Sequence, residues 1–169
     1  MLSDKMQDAL NAQINAELAS AYIYMAMAAY FEDNDLPGFA HWMGIQVQEE
    51  LAHVQKFYHF IFERDGRVIL DALEAPPKEW DSPLAAFEGA YQHEQYISGR
   101  IHDLVTLSRE LKDPATENFL GWFVGEQVEE EANAKGIVQS LKLAGTSGAG
   151  LLMLDRELAA RVFVPPPAA

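Results

Sequence analysis

Carboxylate side chains interrupt the apolar faces of four long segments, and an imidazole joins one of them. Glu17 lies in Ile14-Asn15-Ala16-Glu17-Leu18 and is the only acid between Asp8 and Glu32. Glu49, Glu50 and His53 sit among Val47, Leu51 and Val54. Glu50 and His53 stand at i and i+3, a spacing that places both on one side of a helix. Glu94 falls between Ala90 and Ile97, and Glu126, Gln127, Glu129, Glu130 and Glu131 follow Trp122-Phe123-Val124. A carboxylate buried without a counter-charge is costly, so such groups demand protons or metal ions. Glu17, Glu50, Glu94 and Glu130 together carry four negative charges, the sum that balances two divalent cations. Oxygen-rich ligation with one imidazole suits iron or manganese better than a structural zinc site.

Long helices are needed to bring these residues together. Ser3 is a candidate N-cap with Asp4 in the first turn, and Leu10, Ile14, Ala21, Met25 and Ala28 recur at helical spacing. They predict a helix from about Ser3 to Glu32, closed by Asp33-Asn34-Asp35. Pro37 opens a second helix, which runs to about Arg64 and stops at Asp65-Gly66. Val68-Ile69-Leu70 is too short for a helix and Pro76-Pro77 forbids one, so Arg67 to Ser82 reads as an extended connection. Ser82-Pro83 starts a third helix, to about Lys112, and Asp113-Pro114 starts a fourth, to about Ala144. A short fifth helix is expected over about 148–162, its apolar pattern lying in Leu151 to Val162. Pro165-Pro166-Pro167 ends order, which leaves a disordered tail over about 163–169.

Each of the four long helices is about 42 Å long. Short links make helices one and two, and helices three and four, antiparallel neighbours. The connection between helices two and three reaches roughly 50 Å when extended, enough to cross the bundle end to end. The expected fold class is all-α: a four-helix bundle with one long crossover and a short C-terminal helix, in a single domain. Glu17, Glu50, Glu94 and Gln127 each lie about 12 to 14 residues into a helix, so all four meet at mid-height.

Composition narrows the function classes. The 169 residues are 49 % hydrophobic, a globular composition. A net charge of −14 excludes a basic nucleic-acid surface and suits cation handling. No cysteine is present, which removes disulfides, thiolate nucleophiles, cysteine zinc sites and iron–sulfur clusters. The longest apolar stretch, Leu18 to Phe31, is too short to span a bilayer, and Met1 to Gln13 lacks a secretory pattern. A soluble, cytoplasmic protein without membrane or nucleic-acid partners is expected.

The ordered set Asn15-Ala16-Glu17, Gln48-Glu49-Glu50-Leu51-Ala52-His53, His93-Glu94 and Glu126-Gln127-Val128-Glu129-Glu130-Glu131 resembles prokaryotic ferritins of the non-haem type. The likeness spans essentially the whole chain. It implies ferroxidase chemistry, in which Fe²⁺ is oxidised by O₂ or H₂O₂ and stored as ferric oxyhydroxide in a homo-oligomeric cage of about 24 subunits. By this resemblance Glu17, Glu50 and His53 hold a first iron, and Glu50 bridges to a second held by Glu94 and Glu130 with Gln127 nearby. Glu49, Glu126, Glu129 and Glu130 look like a third iron site. Glu49 lies about 100° around the helix from Glu50, so it faces a different side. Tyr24, two turns after Glu17, resembles the tyrosine beside the di-iron centre, a hydrogen-bond partner and electron donor. Helix four departs from the general di-iron template, carrying Gln127-x-x-Glu130 where that template has Glu-x-x-His.

Simpler readings stand beside this one. Glu17 or Glu94 taken alone reads as a solvated acid, Glu50 and His53 as an exposed pair, and Glu126–Glu131 as a solvated helix face. His41, His59, His93 and His102 read as ordinary surface or packing residues, His93 pointing away from Glu94 by its position. Three other functions compete. A rubrerythrin-like peroxidase needs the cysteines this chain lacks. A bacterioferritin needs a haem-ligating methionine where Leu51 stands, so no haem is expected. A non-catalytic helical assembly protein would bind no stoichiometric iron.

Overall fold

The structure is a computed structural model and describes residues 1–166. It contains α1 (Asp4–Asp33), α2 (Pro37–Glu63), α3 (Pro83–Glu110), α4 (Pro114–Ala144) and α5 (Gly148–Leu158), with no strand among the described residues. Ser3, Ser82, Asp113 and Ser147 accept the backbone N–H of Met6, Ala85, Thr116 and Gly150 at 3.3, 3.0, 3.2 and 3.1 Å. Each satisfies a first-turn donor that has no partner within its helix. Pro37, Pro83 and Pro114 stand at helix starts, where no N–H is needed.

Only α2 lacks a side-chain cap of its own. Asp155 of α5 takes that role: its Oδ1 accepts from the N–H of Gly38 at 2.8 Å and of Phe39 at 3.1 Å. A Cβ at residue 38 would lie 1.7 Å from the Asp155 carbonyl oxygen, so α5 docks this closely only against glycine. Leu154 and Leu158 bury themselves beside it in the core.

α1 packs along α2, α3 packs along α4, and α1 meets α3. The crossover runs the length of α1. Gln7 accepts from the Arg67 N–H at 2.7 Å, and Asn11 holds the Arg67 carbonyl and the Ile69 N–H, both at 2.9 Å. Asn15 reaches the Ala72 carbonyl at 3.2 Å, and Trp80 packs edge-on to Tyr30 at 5.3 Å. Residues 67 to 80 thus travel from the start of α1 to its end, and α3 begins where α2 began. This is the expected all-α bundle with one long crossover.

The fifth helix is shorter than expected, ending at Leu158 rather than near Val162. Ala159 and Ala160 form a turn, after which the chain folds back along α2. There the Arg161 carbonyl meets His41 Nε2 at 2.8 Å. Residues 163–166 of the expected tail are described without regular structure, and 167–169 lie outside the described residues.

Two apolar clusters fill the bundle. One gathers Met27, Phe31, Phe39, Met43 and Phe87 around the α1–α2 turn. The other gathers Leu10, Ile14, Phe57, Ile61, Ile101 and Phe123 toward the opposite end. Burial of this aliphatic and aromatic surface drives the helices together. The polar residues lie between the clusters.

Candidate metal centre

Each long helix delivers part of the site at that junction. Glu17 comes from α1, Glu50 and His53 from α2, Glu94 from α3, and Gln127 and Glu130 from α4; all six are buried. Glu17, Glu50 and His53 form the tightest group, with one ligand atom from each lying within 4.8 Å of the others. His53 Nδ1 is 3.4 Å from Glu50 Oε2 and 3.9 Å from Glu17 Oε2. Those two carboxylate oxygens are buried and accept no hydrogen bond. A buried acceptor left unpaired costs about 1–3 kcal/mol, and more when charged. This donor set therefore fits a cation. Its imidazole is held edge-on by Trp122 at 5.5 Å and Phe123 at 5.7 Å.

The remaining oxygens are held by outer residues. Gln13 donates to Glu17 Oε1 at 2.8 Å, and Arg100 in turn donates to Gln13 at 2.9 Å. Gln46 donates to Glu130 Oε2 at 2.8 Å and approaches Glu50 Oε1 at 3.5 Å. Tyr24 donates a short hydrogen bond to Glu94 Oε1, and Gln127 donates to Glu94 Oε2 at 3.1 Å. Such contacts fix the orientation of ligands before a metal arrives.

The electrostatics express crowding. Burial pushes the Glu50 carboxyl well above the usual range, and the charges of Glu94 and Glu17 push it further against the pull of His53. Burial and the charges of Glu94 and Glu49 raise Glu130 to about 8. Glu94 is raised by burial and by the Glu17 charge, against its bonds from Tyr24 and Gln127. Burial would raise Glu17 as well, but His53 outweighs it and holds that acid low. Burial opposes a charged His53, yet Glu17 and Glu50 keep it protonated well above its ordinary range. Without metal, then, protons do part of the neutralising that cations would do.

A sequence model of the ferritin-like domain family matches residues 7–144. A bacterial non-heme ferritin from Bacteroides fragilis is 43 % identical over 161 residues, 95 % of this chain and 100 % of that protein. One from Staphylococcus saprophyticus is 40 % identical over 163 residues, 96 % of this chain and 98 % of that protein. The chain belongs to the ferritin family. Among solved structures, an open-pore ferritin from the hyperthermophilic archaeon Archaeoglobus fulgidus is similar at 55 % identity and TM-score 0.95, covering 96 % of this chain and 100 % of its own. A humanized archaeal ferritin matches at 52 % identity and TM-score 0.97, over 98 % and 100 %.

This ferritin places the acids of the expected third site unequally. Glu126 lies with His53 and Glu130 in a second group whose ligand atoms fall within 4.8 Å. Glu49 is half-buried and paired with Arg161, and Glu129 is exposed. His93 takes the packing role that was one of its two sequence readings. Its Nε2 is 2.7 Å from Ser20 Oγ, and its ring stands edge-on to Tyr24 at 6.1 Å. Sequence reasoning missed Gln13 and Gln46, both fully buried. A signal for them exists: each stands four residues before a ligand candidate, Glu17 and Glu50, one turn away on the same face. Arg161 carried no such local signal.

Proposed function

We propose that this ferritin binds two Fe²⁺ ions between its four helices, oxidises them with O₂ or H₂O₂, and stores the product as ferric oxyhydroxide inside a homo-oligomeric cage. The observation that carries this reading is the pair of unpartnered, buried oxygens, Glu17 Oε2 and Glu50 Oε2, facing His53 Nδ1. On this reading Glu17, Glu50 and His53 take the first iron. Glu50 bridges to the second, held by Glu94 and Glu130, with Gln127 beside it and Tyr24 fixing Glu94. Glu49, Glu126, Glu129 and Glu130 take a third iron on the way to the cavity. Carboxylates suit the task because hard oxygen ligands stabilise Fe³⁺ and accept the protons that hydrolysis releases.

The balance for O₂ is two Fe²⁺ oxidised as O₂ gains two electrons and two protons to become H₂O₂. Hydrolysis of the two Fe³⁺ to oxyhydroxide then releases six protons. Members of this family form cages, and we take about 24 copies of the chain, each a single domain of residues 1–169, as the assembly. No helix among the described residues is long and apolar enough to cross a membrane. A cytoplasmic location fits the reading, since Fe²⁺ persists in reducing compartments.

Anaerobic calorimetry of the assembled protein tests it. Two tight Fe²⁺ equivalents per subunit and a weaker third are expected. An absence of tight sites, or a monodisperse monomer in light scattering, overturns it.

A further inference from the structure

Beside the buried ligands one outer acid, Glu49, already faces a cation, and the chain itself supplies it. Arg161 lies in the non-helical segment that follows α5. Its Nη2 is 2.5 Å from Glu49 Oε2, with each side chain only 16 % exposed. Its Nη1 donates to Gln46 Oε1 at 2.8 Å, and its guanidinium lies over the Trp42 ring, 4.2 Å from the centroid. A guanidinium presents donors in a rigid planar fork and stacks on aromatic faces, so these three contacts set its orientation as well as its position. The backbone is held too, through His41 at the Arg161 carbonyl and Asp155 at the start of α2. Gln46 passes the contact inward by donating to Glu130 at 2.8 Å. One side chain from the C-terminal segment thus touches Glu49 directly and reaches Glu130 through a single amide.

We propose that Arg161 is a displaceable counter-cation of the third iron site: it occupies Glu49 at rest, and incoming iron must expel it before Glu49 can ligate. The proposal rests on the third-site assignment above. Two effects act in the same direction. The guanidinium competes for the Glu49 oxygens, and its positive charge repels Fe²⁺ from the same locality. The third site is therefore held weaker than the buried pair, whose Glu17 and Glu50 oxygens accept no hydrogen bond and face the His53 imidazole, which becomes a ligand once it gives up its proton. Weak, exchangeable binding suits a station that must pass its iron on. Because α5 remains anchored through Asp155, Leu154 and Leu158, the expelled side chain stays tethered and returns when the iron leaves. Arg161 is a positioning and affinity-setting residue, not a catalytic one.

The test uses the assembled protein and Arg161→Gln, which keeps a planar hydrogen-bonding head for Gln46 and removes the charge. In anaerobic Fe²⁺ calorimetry the third equivalent should tighten about tenfold, while the first two move by less than about threefold. Arg161→Lys, which keeps the charge, should restore most of the wild-type weakness. Adding Glu49→Gln to Arg161→Gln should abolish the gain. In wild type, hydrogen–deuterium exchange of residues 159–166 should rise as Zn²⁺, a redox-inert probe, passes from two to three equivalents. An unchanged third equivalent in Arg161→Gln, or exchange indifferent to that equivalent, overturns the proposal. Loss of the first two equivalents also overturns it, by making Arg161 a scaffold for Glu130. A wild-type protein with no tight sites instead defeats the iron-centre reading, and this proposal with it.

Discussion

Glu49 and Glu50 are chain neighbours on α2, yet the molecule neutralises them in opposite ways. Glu50 faces the bundle interior, where burial and the Glu94 and Glu17 charges raise its carboxyl and one oxygen is left without a partner. Glu49 faces outward, half-buried, with a guanidinium against it. Burial raises its carboxyl too, but Arg161 and His53 pull it back. The inner group is an unfinished polar cluster that protons and one imidazole balance incompletely. In the outer group Glu49 is closed by Arg161, a side chain from the segment after α5. The same side-chain type, one residue apart, is thus left open in the bundle interior and paired at its edge.

The largest test of this contrast is Glu50→Ala. Losing even an outer-shell partner costs a metal site about 10–100-fold, so if Glu50 is shared by two irons as proposed, its removal should slow the first oxidation by more than about 100-fold. Glu94→Ala, proposed to serve one iron, should cost less. Stopped-flow absorbance on the two variants decides it, and equal initial rates would remove the bridge.

A smaller effect is expected from Glu49→Gln, Glu126→Gln and Glu129→Gln combined. Three charges leave the outer group while Glu17, Glu50 and Glu94 remain. The slow phase of mineral growth and the O₂ consumed per Fe²⁺ should change several-fold, and the first oxidation should change far less than in Glu50→Ala. Oxygen uptake recorded alongside absorbance reads both. Collapse of the first oxidation would merge the two groups into one, and wild-type behaviour in both phases would leave the outer acids as a solvated face.

Tyr24→Phe removes the hydroxyl that donates to Glu94. That bond favours the ionised acid, so without it Glu94 should hold its proton to higher pH. The pH at which the second Fe²⁺ binds should move upward by about one unit or less. Calorimetry across pH checks this, and a shift confined to the first equivalent would misplace Tyr24.

The smallest effect is on metal-free stability. Glu130 keeps its proton to about 8 in the folded protein, against 4.5 ordinarily. Between those values the folded state binds the proton and the unfolded chain does not, so stability falls as pH rises through that window. The raised Glu50 and Glu94 act with the same sign, and so does the raised His53 above its ordinary 6.5. Glu17, held low, acts oppositely but only at acid pH. The melting temperature of the metal-free protein should therefore decline from mildly acid to mildly alkaline pH, and saturating Zn²⁺ should flatten the decline. A flat metal-free profile would mean the acids are not buried as a group.

Much of the bundle was legible because its signals are local. Caps at Ser3, Ser82 and Asp113, prolines at helix starts and the Pro76-Pro77 break all act within a turn of the chain. The shared depth of Glu17, Glu50, Glu94 and Gln127 follows from helix length alone, and the structure buries all four. The end of α5 was misjudged because apolar residues recur from Leu151 to Val162, while a turn at Ala159-Ala160 and a contact with His41 divert the chain. His93 is a packing residue, one of the two readings its sequence left open, but no local signal names its partner Ser20, 73 residues earlier and 2.7 Å away.

The sequence by itself determined the helices, their pairing and which acids share a mid-height belt. It could do so because periodicity, capping and the cost of burying charge are properties of neighbouring residues. Only the tertiary structure decided how each acid is neutralised. Asp155 caps a helix 117 residues away, and Arg161 reaches Glu49 across 112 residues. Contacts at such separation depend on where α5 docks, and that docking turns on the absence of a Cβ at Gly38. No pattern within a window of the sequence encodes it.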